Sequence, residues 1–180
     1  MTKLYLCGYT ATPKEEQTQR TTMGTHAHVE WEYEESAEHI VGQLREKGGV
    51  IVGLETVKGC PSIYEFSFND ALMEGRKGKE EEKRDVDKHR NQEMAVDERG
   101  MAQEKGWNGS FLVLIVGNER FGIGEELLSL CDHIVRIPCR GHKNSLNVGV
   151  AYSICVFEVL RQLLSDNDLD KIKRQGNDNK

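Results

Sequence analysis

Basic residues are in deficit in this 180-residue chain: 24 Lys and Arg face 30 Asp and Glu, for a net charge of -6. Such a balance excludes a broadly basic wrapper of nucleic acid and leaves room only for a local positive patch. Nowhere does the chain approach the ~20 consecutive apolar residues of a membrane span, and its first residues lack a charged-then-apolar leader pattern. The expectation is a soluble, intracellular protein, in the cytoplasm or an organelle. No two of the five cysteines, Cys7, Cys60, Cys131, Cys139 and Cys155, form a CxxC pair. Their odd number and the apolar runs around three of them fit reduced, mostly buried thiols. His26 and His28, with Glu30 nearby, lack the second ligand pair that zinc sites show at a separate place. They read as loop residues, and no metal is expected. What is present is 37% hydrophobic residues, enough for one globular domain with a core. Charged residues make up 30%, above the ordinary ~25%, with a mean hydropathy of -0.60, so a polar insertion or tail is expected beside that core.

Leu4-Tyr5-Leu6-Cys7 is a short β-like run stopped by Gly8. Residues Lys14 to Tyr33 show little apolar periodicity and read as a structured surface loop anchored by Trp31 and Tyr33. Ser36 is a candidate cap for a helix through about Lys47. Ile40, Val41 and Leu44 give that helix one apolar face, and Gly48-Gly49 ends it. Val50-Ile51-Val52-Gly53-Leu54 is the continuous β-branched run of a strand buried on both faces of a parallel sheet. Strand, helix, strand is the order of an α/β fold. Ile63 to Phe68 alternates weakly, as a short edge strand would.

From Asp70 to Gly109 large apolar residues almost vanish and opposite charges interleave. Such a segment cannot bury enough surface to offset its ordering entropy, and 70–109 reads as a disordered or solvated helical insertion. Its alternative is an RNA-contacting arm, since Arg76, Lys77, Lys79, Lys83, Arg84, Lys88 and Arg90 cluster there; the interleaved carboxylates weaken phosphate attraction. The domain expected is therefore 1–165 with that insertion, followed by a charged tail at 166–180.

Phe111 to Val116 is the clearest strand, and Gly117 opens the loop GNERFGIG. Gly117 and Gly122 have the spacing of a phosphate loop, but Ile123-Gly124 stands where Lys-Ser or Lys-Thr must be. A dinucleotide fingerprint fails too, because Leu127 occupies its third glycine position. A helix is expected from about Gly124 to Leu130, then a strand from His133 to Ile137. The loop CRGHKNSLN follows, carrying local positive charge on Arg140, His142 and Lys143, with Ser145 or Asn147 as a helix cap. No G-x-S-x-G elbow surrounds Ser145, so capping or ligand hydrogen bonding suits it better than nucleophilic attack. The last helix, 147–164, is apolar on more than one face, which points to a second buried contact such as a subunit interface. Loops leaving the carboxyl ends of two strands are where ligands collect in an open α/β sheet.

GNERFGIGEEL and IPCRGHKNSLNVGVA, in this order and followed by an apolar helix, closely resemble the second and third motifs of the SpoU, or TrmH-like, branch of the SPOUT methyltransferases. LYLCGYTATP and TTMGTHAHVEWEY resemble an earlier segment of the same branch, and the likeness covers most of 3–69 and 110–164. The resemblance implies transfer of a methyl group from S-adenosylmethionine to the ribose 2'-hydroxyl of tRNA or rRNA. It also implies a mostly parallel α/β sheet with a carboxyl-terminal deep trefoil knot, a bent cofactor held mainly by backbone, and a homodimer through helix 147–164. On that likeness Leu54, Glu55, Gly117, Ile137, Ser145, Leu146 and Asn147 line the cofactor pocket. Asn118, Glu119, Ser145 and Asn147 shape the catalytic site, while Arg140, His142 and Lys143 meet RNA phosphates.

One departure bears on activity. The family's first motif, an Asn followed by an Arg in a strand-helix unit, precedes the segment that resembles this chain, and that Arg is assigned to activating the ribose hydroxyl. It has no counterpart here, and Arg20 is not a substitute. The resemblance therefore leaves two expectations: a methyltransferase, shortened at its amino end, or a catalytically incomplete RNA-binding and dimerisation module of the same fold.

Overall fold

The computed structural model describes residues 3–75, 110–118, 120–139 and 145–164, so residues 76–109 of the expected insertion and the expected tail lie outside the described residues. It divides into two compact units after Glu46. In the first, strand β1 (Leu4–Cys7) pairs in parallel with β2 (Trp31–Glu34), Leu4 opposite Trp31 and Cys7 opposite Glu34. The Tyr33 hydroxyl donates to the Gly8 carbonyl at 2.9 Å, tying the end of β2 to the turn after β1.

Between these strands, where a loop was expected, the chain forms helix α1 (Glu16–Thr22) and a 3-10 turn (Thr25–His28). Helix α1 buries no residue, which is why apolar periodicity missed it. Local bonds hold it instead: the Arg20 guanidinium meets Glu16, and the Thr21 and Thr22 hydroxyls donate to carbonyls one turn back. The Thr22 hydroxyl also pairs with His26 Nδ1 at 2.8 Å. Helix α2 (Ala37–Glu46) begins as expected at Ser36, whose hydroxyl oxygen accepts from the His39 N–H at 3.1 Å, satisfying an orphan donor of the first turn. Ile40, Val41 and Leu44 are its buried stripe.

The second unit is built on a three-stranded parallel sheet in the order β4-β3-β5, with β3 (Gly49–Leu54) between β4 (Phe111–Val116) and β5 (His133–Val135). Every β3 residue is buried, as its unbroken apolar run predicts for a central parallel strand. Val50, Val52 and Leu54 point to a core shared with Ile63, Phe68, Ala71, Val135, Cys155 and Val159. The opposite face, at Gly53, lies against Ile123, Leu128 and Cys131. Asp132 fixes the register of β3 and β5: its carboxylate accepts from the Ile51 N–H at 2.7 Å, and its own N–H donates to the Ile51 carbonyl at 2.8 Å. Helix α4 (Glu125–Ser129) leads into β5, and helix α5 (Val148–Leu163) closes the unit.

Ile63 to Phe68 is not the edge strand its alternation suggests. The carbonyl of Ser62 accepts from the N–H groups of Glu65 and Phe66, and the Ser62 hydroxyl from Tyr64, so the chain turns there. Only Ser62 itself bridges to a strand neighbour, Arg136. Helix α3 (68–75) follows, so the first residues of the expected insertion are helical and Ala71 is buried. The Ser67 hydroxyl caps it by accepting from Asp70 N–H at 3.2 Å. Gln162 of α5 locks it in place, accepting from Phe68 N–H at 2.9 Å and donating to the Phe66 carbonyl at 3.0 Å. Phe68 is fully buried, a contribution of about 1.5–3 kcal/mol.

Helix α5 presents two apolar faces, as its sequence suggests. Cys155 and Val159 are buried, while Val150, Phe157, Leu160 and Leu163 stand exposed. Burial pushes the Cys155 thiol up to about 11, helped by the charge of Glu158, so it is a protonated packing group at neutral pH. Of the five thiols only Cys155 is buried; Cys139 is exposed and the other three are half-buried, fewer in the core than their apolar surroundings suggest. None is in a disulfide. No described helix is long and apolar enough to cross a membrane.

Candidate active site

Strands β3 and β4 run side by side and end together, Leu54 opposite Val116. Glu55-Thr56 leaves one and Gly117-Asn118 the other, so their loops converge beyond the sheet. The second loop is a tight hairpin: Asn118 and Gly122 exchange both backbone hydrogen bonds, at 3.0 and 2.8 Å, and the Arg120 N–H donates to Asn118 Oδ1 at 2.8 Å. Glu55 clamps it from the neighbouring strand, its Oε2 accepting from Ile123 N–H at 2.8 Å while Oε1 accepts from Thr56 N–H at the same distance.

Two glycines make that geometry possible. A Cβ on Gly117 would lie 2.2 Å from the Gly122 carbonyl carbon, so nothing larger fits where the hairpin closes. Gly122 has φ +66° and a Cβ there would come within 2.2 Å of Glu55 Oε2. Left-handed backbone and the carboxylate clamp both demand glycine.

The third wall comes from the segment after β5 and the start of α5. With the two loops it encloses a cleft of about 330 Å³ lined by Leu54, Glu55, Thr56, Val116, Gly117, Asn118, Arg120, Phe121, Gly122, Ile137, Cys139, Ser145, Leu146, Val148 and Ala151. Seven of the residues expected in the site, Leu54, Glu55, Gly117, Asn118, Ile137, Ser145 and Leu146, thus meet around one cavity although they come from three distant stretches. Asn147 is not among the lining residues. Its Oδ1 accepts from Gly149 N–H at 3.0 Å and Val150 N–H at 3.4 Å, making it the amino-terminal cap of α5. Glu119, Arg140, His142 and Lys143 lie outside the described residues. Sequence reasoning passed over Thr56, Val116, Arg120, Phe121, Gly122, Cys139, Val148 and Ala151 as lining residues. A hint was present for Arg120 and Phe121, which fill the two positions before Gly122 at the tip of a loop already singled out.

The cleft volume falls at the low end of the ~300–1,000 Å³ range of small-molecule sites, and its surface is divided about equally between polar and apolar groups. Val116, Ile137, Leu146, Val148 and Ala151 can cover a flat apolar ring, and the loop backbones and side chains supply hydrogen-bonding groups. No set of three or more His, Cys, Asp or Glu side chains able to hold a metal ion occurs among the described residues.

Residues 1–157 match the family model described as the SpoU rRNA Methylase family. A 23S rRNA (guanosine-2'-O-)-methyltransferase RlmB of Burkholderia sp is 49% identical over 53 residues, 29% of this chain and 22% of that protein. A tRNA (guanosine(18)-2'-O)-methyltransferase of Thermus thermophilus is 40% identical over 58 residues, 32% of this chain and 30% of that protein. The matched stretches thus span less than a third of these curated relatives. Among solved structures, the AdoMet-bound rRNA methyltransferase from Sinorhizobium meliloti superposes with a TM-score of 0.59 at 24% identity, over 91% of this chain and 47% of that one. The TrmH/SpoU tRNA modifying enzyme of A. aeolicus gives 0.55 at 23% identity, over 96% and 73%. At these identities the superpositions establish an α/β fold with parallel sheets shared with RNA methyltransferases.

Proposed function

The chain belongs to the SpoU rRNA methylase family, and from that premise we propose that it transfers a methyl group from S-adenosylmethionine to the ribose 2'-hydroxyl of tRNA or rRNA. One observation carries the reading: the segments resembling the family's second and third motifs, with the end of β3, gather around a single cleft at the carboxyl ends of the strands. The relatives named as ribose methyltransferases of rRNA and tRNA support the substrate class.

The cleft residues fit the cofactor chemically, with apolar walls for an adenine ring and backbone groups for its polar edges. S-adenosylmethionine supplies an electrophilic methyl group on a sulfonium. Leu54, Ile137 and Leu146 hold it, and the Glu55 clamp keeps Gly117 and Gly122 close enough for their backbone to approach it. A ribose hydroxyl is a weak nucleophile, so the rest of the work is alignment and proton removal. Asn118, its carboxamide oxygen fixed by Arg120 N–H, offers its amide nitrogen to the ribose, and Ser145 relays the hydroxyl proton to the Glu119 carboxylate. Asn147 acts indirectly, by anchoring the start of α5 beneath Ser145 and Leu146. Arg140, His142 and Lys143 neutralise RNA phosphates.

The reading extends to assembly and topology. The exposed face of α5, with Phe157 at 73% exposure and Val150 at 49%, supports a homodimer through that helix. Membership of the SpoU family is what supports a trefoil knot in the carboxyl-terminal part. Residues 1–165 serve as one methyltransferase domain, acting in the cytoplasm where its RNA substrates lie.

The test is transfer of a labelled methyl group from S-adenosylmethionine into total RNA, beside Leu146→Trp, which fills the cleft from a position 40% exposed. Incorporation by the chain and its loss in the variant, with folding retained, is the expected result. A folded chain that binds cofactor and RNA without transfer would identify the incomplete binding module instead.

A further inference from the structure

Phe121 is 86% exposed at the lip of the cleft. An apolar ring on a loose loop would mean little, but this loop is pinned at Asn118, Arg120, Gly122 and Ile123. Asn118 and Gly122 are paired across its base, Arg120 N–H is bonded to Asn118, and Ile123 N–H is bonded to Glu55. The backbone on either side of Phe121 is thereby fixed, and the ring is projected from a rigid tip. Arg120, also exposed, precedes it and lines the same cleft.

We propose that Phe121 is the stacking platform for the base of the nucleotide whose ribose enters the cleft, with Arg120 on an adjacent phosphate. The inference rests on the RNA reading above and names a residue that determines how substrate is held. A ribose drawn down into a cleft from a single-stranded loop brings its base out of the neighbouring stack, and an unstacked base is held in proteins by aromatic faces. A neutral, flat ring carried at the rim on pinned backbone suits that task for any base, since every base has a π-face. It sits one residue from the hairpin pair that shapes the cavity floor, so the base and the ribose are positioned by one rigid piece of backbone. Recognition of base identity then falls to other groups, and Phe121 contributes affinity and orientation.

The test compares wild type, Phe121→Ala, Phe121→Trp and Arg120→Ala in binding unmodified bulk tRNA and fragmented rRNA across a range of salt. Phe121→Ala weakens binding about 5- to 150-fold. The slope of log affinity against log salt stays unchanged in that variant, because stacking releases no counterions, whereas Arg120→Ala lowers the slope by about one contact's worth. Affinity for S-adenosylmethionine by calorimetry is unaltered in Phe121→Ala, which separates the effect from loop collapse. Phe121→Trp keeps RNA affinity, and its added indole fluorescence is quenched by RNA. Wild-type RNA affinity in Phe121→Ala overturns the proposal and leaves the methyltransferase reading intact. So does a shift of Phe121→Ala from dimer to monomer in sedimentation, which would seat the ring on a second subunit, or loss of cofactor binding in that variant. A wild-type chain that binds cofactor but no RNA removes the proposal and the RNA reading together.

Discussion

Glu55→Ala and Gly122→Ala, made singly and together, put the clamp over the cleft to a quantitative test. Removing the carboxylate deprives the Ile123 N–H, on a residue only 6% exposed, of its acceptor at 2.8 Å. A hydrogen bond to a charged group contributes about 1.5–3 kcal/mol, so Glu55→Ala destabilises by about 2 kcal/mol. Gly122→Ala first forces an L residue to φ +66°, at about 1 kcal/mol. It also drives a Cβ to 2.2 Å from Glu55 Oε2, so the carboxylate must leave and the same bond is lost, bringing the single substitution to about 3 kcal/mol. In the double variant the carboxylate is already absent and only the backbone strain is added, for about 3 kcal/mol against about 5 for independent sites. Urea unfolding of the four proteins, followed by circular dichroism, reads the difference. Costs that add to within about 0.5 kcal/mol would refute the clamp, since coupling between touching residues is what the geometry requires.

Other expectations concern α5. Phe157→Lys, on the exposed face, converts a dimer to a monomer in analytical ultracentrifugation; an unchanged mass places the interface elsewhere. Asn147→Ala removes the cap of α5 and costs about 1 kcal/mol, or about 2–4 °C in Tm for a chain of this size, while Asn147→Asp keeps the acceptor and most of the stability. The hydrogen bonds of Arg161 and then of Gln162 hold the Glu158 carboxyl at about 2, below its ordinary 4.5. Its folded pKa is lowered, so its stabilisation is complete above pH 4.5 and drains away as pH falls toward 2. Glu158→Gln flattens stability across that window, and an unchanged acid profile in the variant disproves the assignment.

Much of the second unit was legible because its signals are local. β3 and β4 are unbroken β-branched and apolar runs, and a parallel strand covered on both faces needs that composition. Ser145 and Asn147 both offered a cap for α5, and Asn147 takes that place. Failures came where structure does not depend on burial or where distant residues decide. Helix α1 has no buried side chain, so no stripe could reveal it. β2 is four residues long, too short for alternation to stand out from Trp31-Glu32-Tyr33-Glu34. Ile63 to Phe68 looked like a strand because its apolar residues alternate weakly, but the Ser62 turn sets the direction of the chain. At the site, the two motif stretches carried the lining residues in their wording. The Glu55 clamp did not show, because its partner Ile123 is 68 positions away and no spacing rule links a strand end to a later loop.

The placing of β3 between its two neighbours has a consequence for the protein as it is synthesised. Its apolar run is covered by β4 and by β5, and the Ile51–Asp132 contact that fixes the β5 side spans 81 positions. A ribosome adding about 5–20 residues per second takes some 4–16 s over that distance. Over that interval β3 lacks at least one of its two neighbours, since β4 is complete only at Val116 and β5 only at Val135. Slowing translation between codons 55 and 133 lengthens the time β3 spends without its full sheet, and the expected outcome is a lower soluble yield.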